Sequence, residues 1–152
     1  MFTILTILHS ALRWLVLASL SYSIFISAQG YLKRRSFTRL DNAARHWTAT
    51  IAHTQLLLGI LLLTKSPTVS VFWKDRDLHS GNFDLTFFGL LHPLLMLCAI
   101  LVLTVGSAVA KRTDGDRQKF RTILLYYSIA LLLISIAIPW PFSPLANRPY
   151  FR

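Results

Sequence analysis

Long apolar runs separated by short polar segments dominate the pattern along the chain. Four runs are each long enough for the roughly 20 residues that cross the hydrocarbon core of a membrane. They cover about residues 2–31, 47–64, 85–110 and 122–142. Because lipid cannot satisfy backbone N–H and C=O groups, such runs are expected to be helices. The sequence therefore predicts an all-α membrane protein, with residues 1–152 forming a single domain of four transmembrane helices.

The short segments between successive runs favour antiparallel neighbours, so we expect an up-down four-helix bundle. The first run lacks a basic N-terminal region and exceeds the apolar core of a signal peptide in length, so we expect it to be kept as a span. It carries Ser19, Ser23 and Ser27 at a spacing of four residues, followed by Gly30. Such a stripe of small side chains predicts that a neighbouring helix approaches closely.

Basic residues are concentrated between the apolar runs. The chain has 16 Lys and Arg against six Asp and Glu, a formal charge of +10, yet only 14% of its residues are charged and 54% are hydrophobic. A soluble domain has about 25% charged residues, and nucleic-acid-binding proteins carry their basic residues on polar faces. We therefore expect no nucleic-acid partner, and we attribute the charge to membrane topology and to attraction by anionic membrane lipids.

The distribution of basic residues predicts an orientation in the membrane. Five basic residues lie between spans 1 and 2, and five more lie between spans 3 and 4. The basic residues between spans 2 and 3 are offset by acidic ones there: Lys65, Lys74 and Arg76 by Asp75, Asp77 and Asp84. Lys and Arg accumulate in cytoplasmic loops. The rule therefore places both termini on the outer side.

Four ionisable residues fall within the spans: His9 and Arg13 on span 1, His53 on span 2, and His92 on span 3. Ionisable residues inside a membrane are costly and are functional candidates by default. His9 and Arg13 are one turn apart and share a helix face. An interfacial position, from which the side chain reaches the headgroups, explains Arg13 equally well. The remaining histidines, His46 and His79, are expected to be solvated.

Taken singly, each histidine of the spans has a structural explanation. His53 lies in a polar patch of Thr and Gln side chains, where hydrogen bonds would satisfy a buried imidazole. His92 precedes Pro93, which cannot donate to the carbonyl of Gly89 and therefore bends the helix. We expect this bend and Gly89 to leave room beside the imidazole.

As a set, the histidines predict a haem or metal site, because inward-facing histidines on facing helices build such sites in bundles. Neutral imidazole is a common axial ligand of haem iron, and an arginine can pair with a propionate. His9 and His92 match in depth, whereas His53 lies deeper. The residues therefore allow one haem b site, formed by His9, Arg13, His53 and His92, in which two of the three histidines ligate the iron.

Short motifs along nearly the whole chain carry a family resemblance. They are Leu8-His9, Leu12-Arg13-Trp14, Phe37, Asp41-Asn42, Ala52-His53-Thr54-Gln55-Leu56-Leu57 with Gly59, His92 with Met96, and Ile138-Pro139-Trp140-Pro141-Phe142. They resemble small four-span bacterial membrane proteins labelled cytochrome b-like. The resemblance implies haem b and electron transfer in a bacterial inner (cytoplasmic) membrane. One departure is Leu91, since the family often carries an acidic residue before this histidine.

Two functions stay open from the sequence. The first is a haem b electron-transfer protein or subunit, with membrane lipids, quinone and a larger respiratory or membrane complex as its expected partners. The alternative is a cofactor-free accessory or assembly subunit of a larger membrane complex. A transporter is less favoured because the spans contain no Asp or Glu for proton coupling. No catalytic or nucleotide-binding motif indicates a stand-alone enzyme.

Overall fold

The computed structural model describes residues 2–74 and 82–142, and within these ranges the chain forms helices and no β-strand. Four helices in the described ranges are long and apolar enough to span a membrane, which indicates a multi-pass membrane protein. Asp75, Arg76, Asp77 and His79 lie outside the described residues.

The helices follow the four apolar runs. Helix α1 covers Phe2–Lys33, and α2 covers Arg39–Lys65. A short helix, α3, covers Pro67–Lys74. Further along the chain come α4 (Phe83–Thr86), a π-helical turn (Phe87–Leu91) and α5 (His92–Arg112), which together form one continuous helical stretch. Helix α6 covers Asp116–Ala137.

The four long helices pack as a bundle in which α1 and α5 each contact both α2 and α6. Helices α1 and α5 therefore face each other across the diagonal of the bundle. The connections 34–38 and 113–115 lie together at one end, which we call the basic end. The opposite end, which we call the histidine end, contains the start of α1, the end of α2, α3, the π-helical turn and the end of α6.

Small residues bring α1 close to its neighbours, as their spacing predicts. The hydroxyl oxygens of Ser23 and Thr48 lie 2.8 Å apart between α1 and α2, and Thr48 also donates to the carbonyl of Ser19 at 3.1 Å. A Cβ atom on Gly30 would lie only 2.4 Å from the ring of Phe120 on α6. The predicted close approach is therefore confirmed at these positions.

Helix α2 begins well before its apolar run because a capping box fixes its first turn. Thr38 is the N-cap, and its backbone N–H donates to the Asp41 carboxylate at 2.8 Å. Arg35 donates to both oxygens of this carboxylate at 2.6 Å. These hydrogen bonds raise the pKa of the Arg35 guanidinium above its ordinary value. A capping box satisfies backbone N–H groups that the first turn of a helix leaves without partners.

Helix α6 ends earlier than the apolar run to residue 142 suggests. Its last residue is Ala137, and Ile138 adopts an extended conformation with φ −71° and ψ 129°. Pro139 explains this end, because a proline disfavours the helical conformation in the residue before it. The chain then turns at the histidine end, where the Trp140 indole donates to the carbonyl of Ser135 at 2.8 Å.

Candidate functional site: a two-histidine cavity

Two histidines from diagonal helices meet at the histidine end. The ring centroids of His9 on α1 and His92 on α5 lie 6.5 Å apart, and the ring planes are inclined by 69°. The two rings therefore meet across the bundle, although α1 and α5 pack mainly against α2 and α6. The two rings therefore lie at the same level along the bundle.

A backbone carbonyl fixes the orientation of the His92 ring. Nδ1 of His92 lies 2.7 Å from the carbonyl oxygen of Ala137. Because a carbonyl can only accept, Nδ1 carries the proton and Nε2 keeps its lone pair. The carbonyl of Ala137 is open to this contact because α6 ends at this residue, and the last carbonyls of a helix have no intrahelical donor.

The backbone around His92 has an unusual hydrogen-bond pattern that sets where the ring emerges. Its N–H donates to the carbonyl of Phe87, five residues back, which completes the π-helical turn. Pro93 follows and removes the next donor. Single π-helical turns are rare and occur frequently at functional sites. The helix is thus irregular at the position where the sequence predicts a bend. A Cβ atom on Gly89 would lie 2.4 Å from Phe72, so Gly89 makes room for α3 rather than for the imidazole.

Helix α2 contacts His9 at two places, the backbone carbonyl and one edge of the imidazole ring. Gln55 on α2 donates from Nε2 to the carbonyl of His9 at 2.9 Å. A Cβ atom on Gly59 would lie 3.3 Å from Cε1 of His9, so the glycine lets the ring pack against α2. Nδ1 of His9 is buried and has no hydrogen-bond partner among the described residues. Such groups are exceptions in native structures and often mark a redox role or a bound ion.

A cavity of about 530 Å³ opens beside the two rings, and we call it the histidine cavity. Its walls come from all four long helices and from α3, and they are mostly apolar, with Leu56, Met96 and Ile134 among them. The polar residues of its lining are Thr6, His9, Ser10, Arg13, Gln55, Ser66, Thr68 and His92. Cofactor sites are typically apolar clefts of about 300–1,000 Å³ with a few placed polar groups.

Arg13 supplies a cation to the wall of the histidine cavity. Its guanidinium carbon lies 5.4 Å from the ring centroid of Trp14. Trp14 in turn meets Trp140 at 6.0 Å between ring centroids, and Trp140 stacks on Phe142 at 5.8 Å. The closing Ile-Pro-Trp-Pro-Phe motif therefore supports the side of the cavity on which Arg13 lies.

His53 lies elsewhere in the bundle. Its Nδ1 donates to the carbonyl of Ala49 at 2.6 Å, and Thr104 Oγ1 on α5 lies 3.1 Å from Nε2. The side chain is exposed and is absent from the lining of the histidine cavity. Thr104 lies twelve residues beyond His92, which corresponds to about 18 Å along α5. The polar patch on span 2 is thus divided, with Gln55 facing α1 and His53 facing α5.

Three roles in the site were not predicted from the sequence: the Ala137 carbonyl as the partner of His92, Gln55 as a partner of the His9 backbone, and Gly59 as the surface against which the His9 ring packs. Pro139 was the available signal for Ala137, because it ends α6 there and the last carbonyls of a helix have no helical donor. In the described part of the chain, no group of three or more His, Cys, Asp or Glu could hold a metal ion. No family model, curated protein or solved structure matches the chain.

Proposed function

We propose that this chain is a haem b electron-transfer protein or subunit of the bacterial inner membrane, in which His9 and His92 would hold the haem iron. The observation that carries the proposal is the approach of the two imidazoles to 6.5 Å between ring centroids. They come from helices that face each other across the bundle. Two imidazoles would suffice as the protein ligands of a haem iron, because the porphyrin would supply the remaining ones.

The surroundings of the two rings fit this group. His92 donates from Nδ1 to a backbone carbonyl, which is how metal-ligating histidines are commonly oriented, and Nε2 keeps the lone pair that a metal requires. His9 has a buried ring nitrogen with no hydrogen-bond partner in the described ranges. Coordination would account for an imidazole held in this way.

The remaining residues of the cavity have roles in binding and in excluding water. Arg13 would pair with a propionate, because hydrogen bonds between an arginine and a carboxylate are charge-assisted and directional. The apolar walls would keep water from the rings, and burial of this kind is one determinant of reduction potential. When bound, haem b supplies one-electron transfer. Quinone and a larger respiratory or membrane complex are the proposed exchange partners.

The family resemblance supports the same location. His9, Arg13, Gln55, Gly59 and His92 belong to the motifs shared with cytochrome b-like proteins, and all five line the histidine cavity. Motifs from three helices thus meet at one place in the bundle. His53, which belongs to the same set of motifs, has hydrogen bonds on both ring nitrogens and takes no part in the proposed ligand pair.

The test is the visible spectrum of the detergent-purified protein, oxidised and reduced, after expression with added haem. We expect a Soret band and the sharp reduced bands of low-spin haem with two imidazole ligands. His9→Ala and His92→Ala should each lose the low-spin spectrum, because one axial ligand is missing. His53→Ala is the matched control and should keep it, since His53 lies outside the cavity.

Two outcomes would contradict the proposal. A wild-type protein without haem absorption, even after reconstitution with excess haem, would favour the cofactor-free accessory or assembly subunit. The ligand pair is wrong if His53→Ala loses the low-spin spectrum while a folded His9→Ala or His92→Ala variant keeps it. Circular dichroism and elution volume establish that each variant is folded before its spectrum is read.

A further inference from the structure

A second cavity lies at the basic end, opposite the end that holds His9 and His92. It has a volume of about 250 Å³ and is formed by the connection 34–38, the start of α2, the end of α5 and the start of α6. Its lining includes Phe37, Thr38, Arg39, Asn42, Lys111 and Lys119. We call it the basic pocket. Three cations from three different helices thus border one small space.

No carboxylate in the described ranges lines the basic pocket or forms an ion pair with its cations. The lining contains no Asp or Glu. The nearest acidic side chain in sequence, Asp41, is engaged by Arg35 through two hydrogen bonds of 2.6 Å and by the Thr38 hydroxyl at 2.7 Å. Within the described ranges, neither Arg39 nor either lysine forms an ion pair. Like charges held near one space repel each other, and a bound anion relieves this repulsion.

Contacts between neighbouring side chains hold the walls of the basic pocket in place, and they do not use the amide N–H groups of Asn42. Asn42 accepts hydrogen bonds on Oδ1 from Arg45 at 3.1 and 2.9 Å, so its amide N–H groups are the part left to donate. Arg45 is itself buried and also donates to Ser107 on α5. Lys119 lies 5.5 Å from the ring centroid of Phe37, which packs against Phe120 at 5.1 Å. These contacts connect three helices around the pocket.

The chemistry of this lining matches a phosphate group. Arginine and lysine donate charge-assisted hydrogen bonds to phosphate oxygens, and amide and hydroxyl donors complete such sites. Basic pockets between transmembrane helices at the membrane surface bind phospholipid headgroups. We propose that the basic pocket binds the phosphate group of an anionic molecule, with Arg39, Lys111 and Lys119 as its charged contacts. This phosphate group belongs either to the headgroup of an anionic phospholipid or to a soluble phosphate.

The experiment compares two triple variants with equal loss of charge. The pocket variant is Arg39→Gln, Lys111→Gln and Lys119→Gln. The control variant is Lys33→Gln, Arg112→Gln and Arg121→Gln, three exposed residues near the same end that do not line the pocket. Purified wild-type and variant proteins are titrated in detergent with phosphatidylglycerol, with phosphatidylcholine and with inorganic phosphate. Bound lipid is counted by native mass spectrometry, and phosphate binding is followed by the shift in Tm.

A headgroup site predicts that the wild type and the control variant retain phosphatidylglycerol in preference to phosphatidylcholine. It also predicts that the pocket variant retains phosphatidylglycerol at least about tenfold more weakly. A rise in Tm with inorganic phosphate that only the pocket variant lacks supports a soluble source. Equal weakening in both triple variants, or no binding of either probe to the wild type, overturns the proposal. If the pocket variant does not fold, Lys111→Gln and Arg39→Gln, both at exposed positions, must each weaken binding several-fold or the proposal fails.

Discussion

Individual contacts around His9 decide how its ring is presented to the cavity. Gly59 lies against Cε1, where an added Cβ atom would be 3.3 Å away. A contact of this length is short enough that the ring must shift by a few tenths of an ångström. The Gln55 hydrogen bond to the carbonyl of His9 holds the backbone in place, so the shift falls on the imidazole.

We therefore expect Gly59→Ala to alter the ligand field without unfolding the protein. If His9 is an axial ligand, the low-spin electron paramagnetic resonance signal of the oxidised haem should shift or broaden, because the imidazole plane turns. Thr64→Ala is the control on the same helix, since Thr64 is exposed and its hydroxyl donates only to the carbonyl of Leu61. An unchanged signal in Gly59→Ala would show that this ring edge does not control the ligand.

The Ser23–Thr48 hydrogen bond makes a second prediction at the scale of single residues. It is a buried contact of 2.8 Å between α1 and α2. Hydrogen bonds between transmembrane helices average about 0.6 kcal/mol in double-mutant cycles. We expect a coupling free energy of this size between Ser23→Ala and Thr48→Val, measured by unfolding in mixed micelles. The pair Ser23→Ala and Thr54→Val should show no coupling, because Thr54 is exposed and donates to its own helix.

At the scale of helices, glycine sets the distance between α5 and α6. A Cβ atom on Gly106 would lie 2.2 Å from Cβ of Tyr126 on α6. Because this neighbouring atom is next to the backbone, no side-chain rotation can relieve the clash. Gly106→Val should therefore lower the free energy of unfolding by about 1–3 kcal/mol, the usual cost of overpacking.

The matched control for this helix contact is Ala108→Val. Ala108 lies on the same helix, two residues along, at an exposed position. We expect a change within about 0.5 kcal/mol, as for other substitutions away from packed contacts. Equal stability of the two variants in detergent unfolding would mean that α5 and α6 are not held at the distance seen in the structure.

The helices themselves follow from the apolar runs, but their ends do not. Run length and hydrophobicity predict four helices because lipid leaves no other backbone structure available. The start of α2 at Arg39 depends instead on the capping box of Thr38 and Asp41. The end of α6 at Ala137 depends on Pro139. Helix ends depend on capping residues and prolines, which the pattern of hydrophobic positions does not include. The lengths of the apolar runs therefore do not predict where the helices begin and end.

The site was predictable to the extent that it depends on depth along a helix. The sequence predicts similar depths for His9 and His92 in their spans, and the structure brings their rings to 6.5 Å between centroids. The direction of His53 was not predictable in this way. His53 and Gln55 are two residues apart on α2 and therefore point to nearly opposite sides of the helix. Which side faces the cavity depends on the order in which the helices surround α2.

The whole molecule has two ends with different chemistry. The histidine end holds a mostly apolar cavity with two imidazoles, and the basic end holds a small pocket bordered by three cations. The Tyr127 hydroxyl donates to the carbonyl of Arg45 at 2.8 Å, which links α6 to the diagonal helix α2 on the side of the basic end. The two proposed activities, electron transfer and anion binding, would therefore lie on opposite sides of the membrane.

The distribution of Lys and Arg predicts which end of the bundle faces the cytoplasm. Both basic connections should face the cytoplasm and the histidine end should face outward. Single cysteines test this in a Cys98→Ser background: Ser36→Cys and Asp114→Cys at the basic end, and Ser70→Cys on α3, all at exposed positions. In intact bacterial cells, a membrane-impermeant maleimide should label only Ser70→Cys, and permeabilised cells should show labelling at all three. Labelling of the two basic-end cysteines in intact cells would reverse the orientation and place the histidine cavity on the cytoplasmic side.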